Sequence, residues 1–405
     1  MRRMVVALEM DSMPEDSTRP SILIVTSSTG GGHINMSAAL GEMLDESFDI
    51  TIVNAHPPIV SSFYSFASRY AVTAWSKVMK ITDTGAGARG MHTILYALIR
   101  RRLTSIIRDA APDLIITTHS MLSYEITRLL AALDQRIPVV FQVTDLTLHH
   151  MWVTEKRASA YLASTREIYE GLIAAGVERD RVVLTGRPVR RQFLDDYSAR
   201  RAHILRSLGL DPSQFTAYVQ GGAEGSAQIV RTIYALLDAH PEIQCVVAAG
   251  HNEEIRRRVS TLGRVAALPY TALIAPYMAA CDVVVGKPGA GSVGEAIVLG
   301  KPFIASTVIP YQETPNVDFI ERHGLGWRCL EPGSLTALIQ RLLSDRTLLA
   351  EKTRAIQTYA AFNLAASRRL APLIGDLLAQ NETQNVEQSE QQGQALTAAH
   401  DATMG

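Results

Sequence analysis

Ser21-Ile22-Leu23-Ile24-Val25-Thr26 leads into Thr29-Gly30-Gly31-Gly32-His33, and a helix-forming stretch over 36–44 follows. An apolar run, then glycines, then a helix start is the usual layout of an anion or sugar-phosphate site. Glycines let the backbone pass close to a ligand with no Cβ in the way, and His33 adds a titratable group beside it. A second glycine turn, Lys287-Pro288-Gly289-Ala290-Gly291-Ser292-Val293-Gly294-Glu295, lies well over 200 residues downstream. Two such units predict two nucleotide-binding-like halves facing each other.

The rest of the chain follows the same grammar. Strand-like runs at 21–27, 49–54, 113–118, 138–144, 160–163 and 181–185 alternate with helical periodicity. The pattern restarts at 215–220, 244–249, 283–286 and 302–306. Such alternation argues for α/β architecture with parallel sheets. Gly186-Arg187-Pro188 reads as a hinge between the two series, and Gly221-Gly222-Ala223 opens a loop after the first strand of the second. A helical stretch from 346 to 378 closes the ordered part. The Gln-, Asn- and Ala-rich remainder is expected to be disordered.

A chain of 405 residues exceeds what one core usually supports, so two domains are expected. With 47% hydrophobic and 20% charged residues it reads as globular, and a net charge of −1 gives no reason to expect a nucleic-acid partner. Cys245, Cys281 and Cys329 have no metal spacing and sit in apolar contexts, as buried thiols do in a reducing compartment. No apolar run reaches the roughly 18 residues of a spanning helix. The start of the chain turns acidic at Glu9 and Asp11, too soon for a secretory signal. A cytoplasmic location is expected, with peripheral membrane contact. Residues 61–108 carry that contact: eight Lys or Arg face one acid, Asp83, with Phe63, Tyr64, Phe66, Tyr70, Trp75 and Tyr96 interleaved. Apolar, aromatic and basic residues on one helix suit an anionic membrane surface.

Four stretches carry chemistry. His33 beside its glycines can handle a proton near an acceptor. In the downstream turn Ser292 is a plausible helix N-cap. Backbone N–H groups there suit a pyrophosphate, and Glu295 can accept hydrogen bonds from ribose hydroxyls. Pro310-Tyr311-Gln312-Glu313-Thr314-Pro315-Asn316 lies between a strand and a helix, at the sheet edge where α/β proteins bind ligands. Its Gln312 and Glu313 offer partners for sugar hydroxyls. Thr144-Asp145-Leu146-Thr147-Leu148-His149-His150-Met151-Trp152 ends a first-half strand. Asp145 there is a candidate base and His149 a polar contact; no third ligand is spaced to complete a metal site.

Together these motifs resemble the monogalactosyldiacylglycerol synthases and processive diacylglycerol glucosyltransferases of glycosyltransferase family 28. The resemblance spans about 21–363. It rests on Thr29 to His33, on Thr144-Asp145 with His149 and Trp152, and on Thr185-Gly186-Arg187-Pro188-Val189-Arg190-Arg191-Gln192-Phe193. Lys287-Pro288-Gly289 with Glu295, then Gln312-Glu313 with Asn316, complete it. It implies a GT-B fold, two Rossmann-like doubly wound domains around a cleft. The expected division is a flexible start over 1–20, an acceptor-side domain over 21–190 and a UDP-sugar domain over 191–345. A helical segment over 346–378 and a disordered tail over 379–405 follow. The implied reaction moves galactose or glucose from a UDP-sugar to diacylglycerol with inversion, without a metal or other cofactor, on the inner face of the cell membrane. Gly222, Lys287, Pro288, Gly289, Ala290, Gly291, Ser292, Glu295, Gln312, Glu313 and Asn316 would bind the donor. Gly31, Gly32, His149 and Trp152 would flank the acceptor, and His33 or Asp145 would be the base. Two positions depart from the relatives' pattern: Gly286, where Thr is frequent, and Tyr311, where Gly is frequent.

Three other readings fit parts of the pattern. A peptidoglycan-type N-acetylglucosaminyltransferase shares the turns, but the 144–152 and 186–193 segments favour the lipid enzymes. A UDP-N-acetylglucosamine 2-epimerase would have no use for the aromatic and basic segment. A nucleotide-sugar sensor would tolerate loss of His33 and Asp145.

Overall fold

Two six-stranded sheets, every strand pair parallel, account for the alternation. The computed structural model describes residues 19–27, 31–57, 77, 80, 85–148, 155–222 and 228–404. The first domain holds β1 (Ser21–Thr26), α1 (Gly31–Leu44), β2 (Asp49–Asn54), α2 (Gly85–Ala110), β3 (Leu114–Thr117) and α3 (Ser120–Ala132). It continues through β4 (Val139–Gln142), β5 (Ala160–Ala163), α4 (Arg166–Ala174) and β6 (Val182–Leu184), in the sheet order β2-β1-β3-β4-β5-β6. The second holds α5 (Arg201–Ser207), β7 (Thr216–Gln220), α6 (Gln228–Ala239), β8 (Gln244–Ala248), α7 (Glu253–Ser260), β9 (Val265–Leu268) and α8 (Ala275–Ala279). It continues through β10 (Val283–Gly286), α9 (Ala290–Val298), β11 (Phe303–Ala305), α10 (Thr314–Arg322), β12 (Gly326–Arg328) and α11 (Pro332–Ser344), in the order β12-β11-β10-β7-β8-β9. Then come α12 (Thr347–Ser367) and α13 (Leu370–Met404).

Strand alternation sends side chains to both faces of the first sheet. Ile22 and Ile24 of β1 pack with Met36, Leu40 and Leu44 of α1, while Leu23 and Val25 pack with α2 and α3. The spacing Leu95, Ile99, Leu103, Ile107 makes the buried stripe of α2. Parallel sheets are covered on both sides, so their strands read as nearly continuous apolar runs.

Strands β9 and β12 were not foreseen. Both lie at sheet edges and are four and three residues long, too short for a periodic signal. Helix α1 begins at Gly31 rather than near Met36, which puts His33 in its first turn. The segment over 346–378 is not a unit by itself. Leu370, Ile374 and Leu378 of α13 complete the core of the first sheet, so the chain returns to the domain where it began. Residues 379–404, expected to be disordered, continue α13. Ala, Gln and Glu favour helix, and no proline interrupts them. Their described side chains, through Glu390, bury none of their apolar surface in a core. The expected flexible start, 1–18 of it, lies outside the described residues, as does most of the aromatic part of 61–108.

The return of α13 makes a specific expectation for stability. Ile374 is fully buried and Val386 is 58% exposed on the same helix. Ile374→Ala should cost about 2–5 kcal/mol, and Val386→Ala should stay within about 0.5 kcal/mol. Urea unfolding of both variants checks this.

Candidate active site

In doubly wound sheets ligands bind where strand order reverses, at the carboxyl ends of the strands. The first sheet reverses between β1 and β3, the second between β7 and β10. Both glycine turns leave from these points, and α1 touches α9 across the cleft.

At the first reversal His33 meets the end of β3. Its Nδ1 lies 2.7 Å from the Thr118 carbonyl oxygen. A carbonyl only accepts, so Nδ1 carries the proton and a neutral ring keeps its lone pair on Nε2. Hydroxyls brace this arrangement. Ser37 Oγ donates to the His33 carbonyl at 3.0 Å and shares a 3.0 Å hydrogen bond with Thr118 Oγ1, which lies 2.9 Å from Thr26 Oγ1. His119 packs against His33 with ring centroids 4.5 Å apart, and His56 against His119 at 5.2 Å. His56 Nδ1 is 2.5 Å from Ser27 Oγ at the end of β1. Burial holds His33 below the ordinary imidazole value, opposed by the charge of Asp145 and the Thr118 carbonyl. His56 is pushed down to about 4 by burial and by His33, and burial holds His119 well below the ordinary value, with His33, His56 and His92 acting the same way. The cluster is neutral at pH 7.

At the second reversal the loops are tied together. Gln220 donates from Nε2 to the Lys287 carbonyl at 2.8 Å and accepts from the Gly222 N–H at 2.8 Å. Asn316 Nδ2 donates to the Pro288 carbonyl at 3.0 Å. Lys287 Nζ pairs with Glu313 Oε1 at 2.6 Å, and Glu313 Oε2 accepts from the Ile309 N–H at 2.8 Å. Glu313 thus spends one oxygen on Lys287 of the neighbouring loop and the other on its own loop. The N-cap of α9 is Gly289, not Ser292, because the extended Lys287-Pro288-Gly289 segment ends there. Ala290, Gly291 and Ser292 are therefore the first three helical residues, whose N–H groups have no intrahelical partner. Glu295 is buried one turn further in. Burial pushes its carboxyl up to about 7 against the pull of Arg190 and Arg187.

Both departures have local causes. Gly286 has φ +151, and a Cβ there would lie 2.0 Å from the Gln220 carbonyl oxygen, which excludes Thr in this backbone. Tyr311 has φ +70, a left-handed conformation that glycine adopts freely and tyrosine rarely does. Thr29, Gly30, His149 and Trp152 lie outside the described residues. Gly31 and Gly32 open α1, and a Cβ at Gly32 would meet nothing within 4 Å. Among the described residues no group of three or more His, Cys, Asp or Glu could hold a metal ion. Sequence reasoning missed His56, Thr118, His119 and Gln220. Each stands at or just past the end of an expected strand, and that position was the available signal.

Comparison with known proteins agrees with this layout. Residues 49–189 match the monogalactosyldiacylglycerol (MGDG) synthase family, and 216–368 the glycosyltransferase family 28 C-terminal domain. The chain belongs to the MGDG synthase group of glycosyltransferase family 28. Monogalactosyldiacylglycerol synthase 1 of Arabidopsis thaliana is 26% identical over 391 residues, 89% of this chain and 71% of that one. The processive diacylglycerol beta-glucosyltransferase of Bacillus subtilis is 25% identical over 385 residues, 92% of this chain and 98% of that one. The calicheamicin glycosyltransferase CalG4 superposes with a TM-score of 0.59 at 16% identity, over 90% of this chain and 99% of that one, a likeness of fold alone. The architecture of this family 28 member is GT-B.

The histidine cluster makes stability depend on pH. An unfolded His binds a proton near pH 6.5, whereas buried His56 binds one only near 4. Between those values the unfolded state holds more protons, so this contribution is lost as pH falls below 6.5. Glu125 and Glu295, whose carboxyls are raised by burial, act in the opposite sense. Comparison with His56→Gln isolates the histidine. Between pH 7.5 and 5 the wild type should lose about 2 kcal/mol more than the variant, measured by urea unfolding.

Proposed function

We propose that this protein transfers a hexose, galactose or glucose, from a UDP-sugar to diacylglycerol, with inversion at the anomeric carbon, and makes a membrane glycolipid. The observation that carries the reading is the pairing of two unlike sites at the two sheet reversals. One holds an imidazole with its tautomer set, and the other a helix N-terminus with bound loops. In the first, His33 Nε2 takes the proton of the attacking hydroxyl while Asp145 favours the imidazolium that forms. In the second, N–H groups of α9 and nearby cations meet the charge of the departing UDP. Glu295 holds the ribose and Gln312 the sugar. No metal is invoked, since protein groups supply the positive charge.

The acceptor lives in a membrane, and α2 offers a surface for it. No helix among the described residues is long and apolar enough to cross a bilayer. Away from the buried stripe of α2, Ile94 and Leu98 are 62% and 65% exposed, with exposed Arg101 on the same face, three residues past Leu98. We assign this face, with the rest of 61–108, to peripheral contact with anionic lipid on the inner face of the cell membrane. It also favours a lipid acceptor over an epimerase reaction.

Two outcomes test the reading. His33→Ala and Asp145→Asn should each lower turnover roughly 10²-fold or more, with UDP affinity by calorimetry little changed. Near-normal turnover with saturating diacylglycerol would remove that residue from the base role. In vesicle sedimentation, binding should be stronger to anionic than to neutral vesicles and should weaken with salt. Each basic residue contributes about 1 kcal/mol near the surface. Ile94→Ser with Leu98→Ser should reduce it on both.

A further inference from the structure

Arg187 lies in the hinge and is only 5% exposed. One of its terminal nitrogens, Nη1, donates to the carbonyl oxygen of Thr144, the residue before Asp145. Its aliphatic part lies on α9, where a Cβ at Gly294 would come within 2.6 Å of Arg187 Cδ and 3.0 Å of Nε. Only glycine leaves room for it. The other terminal nitrogen, Nη2, is directed at the start of α9, 3.8 Å from where a Cβ of Gly291 would stand. Arg187 forms no ion pair among the described residues; Asp145 and Glu295 act on it only over a longer range. Burial accordingly lowers its basicity, to about 10.

A buried guanidinium without a paired anion is costly. Such a charge, aimed at a helix N-terminus with free N–H groups, suits a ligand that brings negative charge. We propose that Arg187 is a further donor-site residue, whose Nη2 contacts the diphosphate of the bound UDP-sugar and stabilises UDP as it leaves. In the same act its Nη1 holds the strand end that carries Asp145. One side chain thereby links the leaving group in the second domain to the acid–base groups of the first. The inference rests on the donor reading given above.

Calorimetry with two probes, UDP and uridine, tests it on the full chain. Wild type should bind both. Arg187→Gln should weaken UDP roughly tenfold or more, the scale of a lost hydrogen bond to a charged group, and leave uridine unchanged. Arg187→Lys keeps the charge but cannot serve Thr144 and the diphosphate at once. It should weaken UDP less than Gln does, again sparing uridine, and it decides the matter if the Gln variant does not fold. Unchanged UDP affinity in the variants overturns the proposal, and so does an equal loss of UDP and uridine, which would mark a structural role. Wild type that binds no UDP overturns the donor reading itself, and the proposal with it.

Discussion

The chain crosses between its domains twice, and the two crossings are clamped together by one amide. Asn363 Oδ1 accepts from the backbone N–H of Arg187 at 2.6 Å, and its Nδ2 donates to the Arg187 carbonyl at 3.0 Å. The residues are 176 apart in sequence. Both backbone groups of a buried hinge residue are thus satisfied, as a buried connection requires. Without this clamp the buried hinge would carry two orphaned polar groups. Secondary ties lie further out. The Arg191 N–H donates to the Glu42 carboxylate at 2.5 Å and its guanidinium pairs with Asp45, while His323 meets Glu167 at 2.5 Å across the cleft. These are more exposed and contribute less.

Much of this was legible in the sequence for a plain reason. Parallel strands buried on both faces are short apolar runs, and glycine turns follow the strands that border a sheet reversal. That sufficed for two α/β halves and for both turns. It failed where the signal was short or distant. The edge strands β9 and β12 are below the length at which period can be read. The return of α13 depends on Leu370, Ile374 and Leu378 meeting β1, β3, β4 and β5, a contact no local pattern reveals. Family resemblance supplied the proposed roles of Glu295 and of the Gln312–Glu313 pair. The structure adds that Glu313 is held by Lys287 and by its own loop. His56 and His119 were overlooked because a lone histidine carries little information. Only the fold brings three imidazoles together at one strand-end cluster.

In the proposed reaction the two halves meet opposite electrostatic demands. Proton transfer needs an imidazole that is neutral at working pH, and burial among other imidazoles keeps His33 so. Diphosphate departure needs fixed positive charge, and the second domain offers a helix N-terminus with Lys287 nearby. Placing both on one domain would set the cations against the imidazolium that forms during reaction. Separation across a cleft avoids that conflict but leaves the two sites free to drift. Arg187 reaches both, through the Thr144 carbonyl on one side and the Gly291–Gly294 face of α9 on the other. On the proposed reading the hinge therefore sets distance and charge at once, and a substitution there would act on both halves of the reaction rather than on either alone.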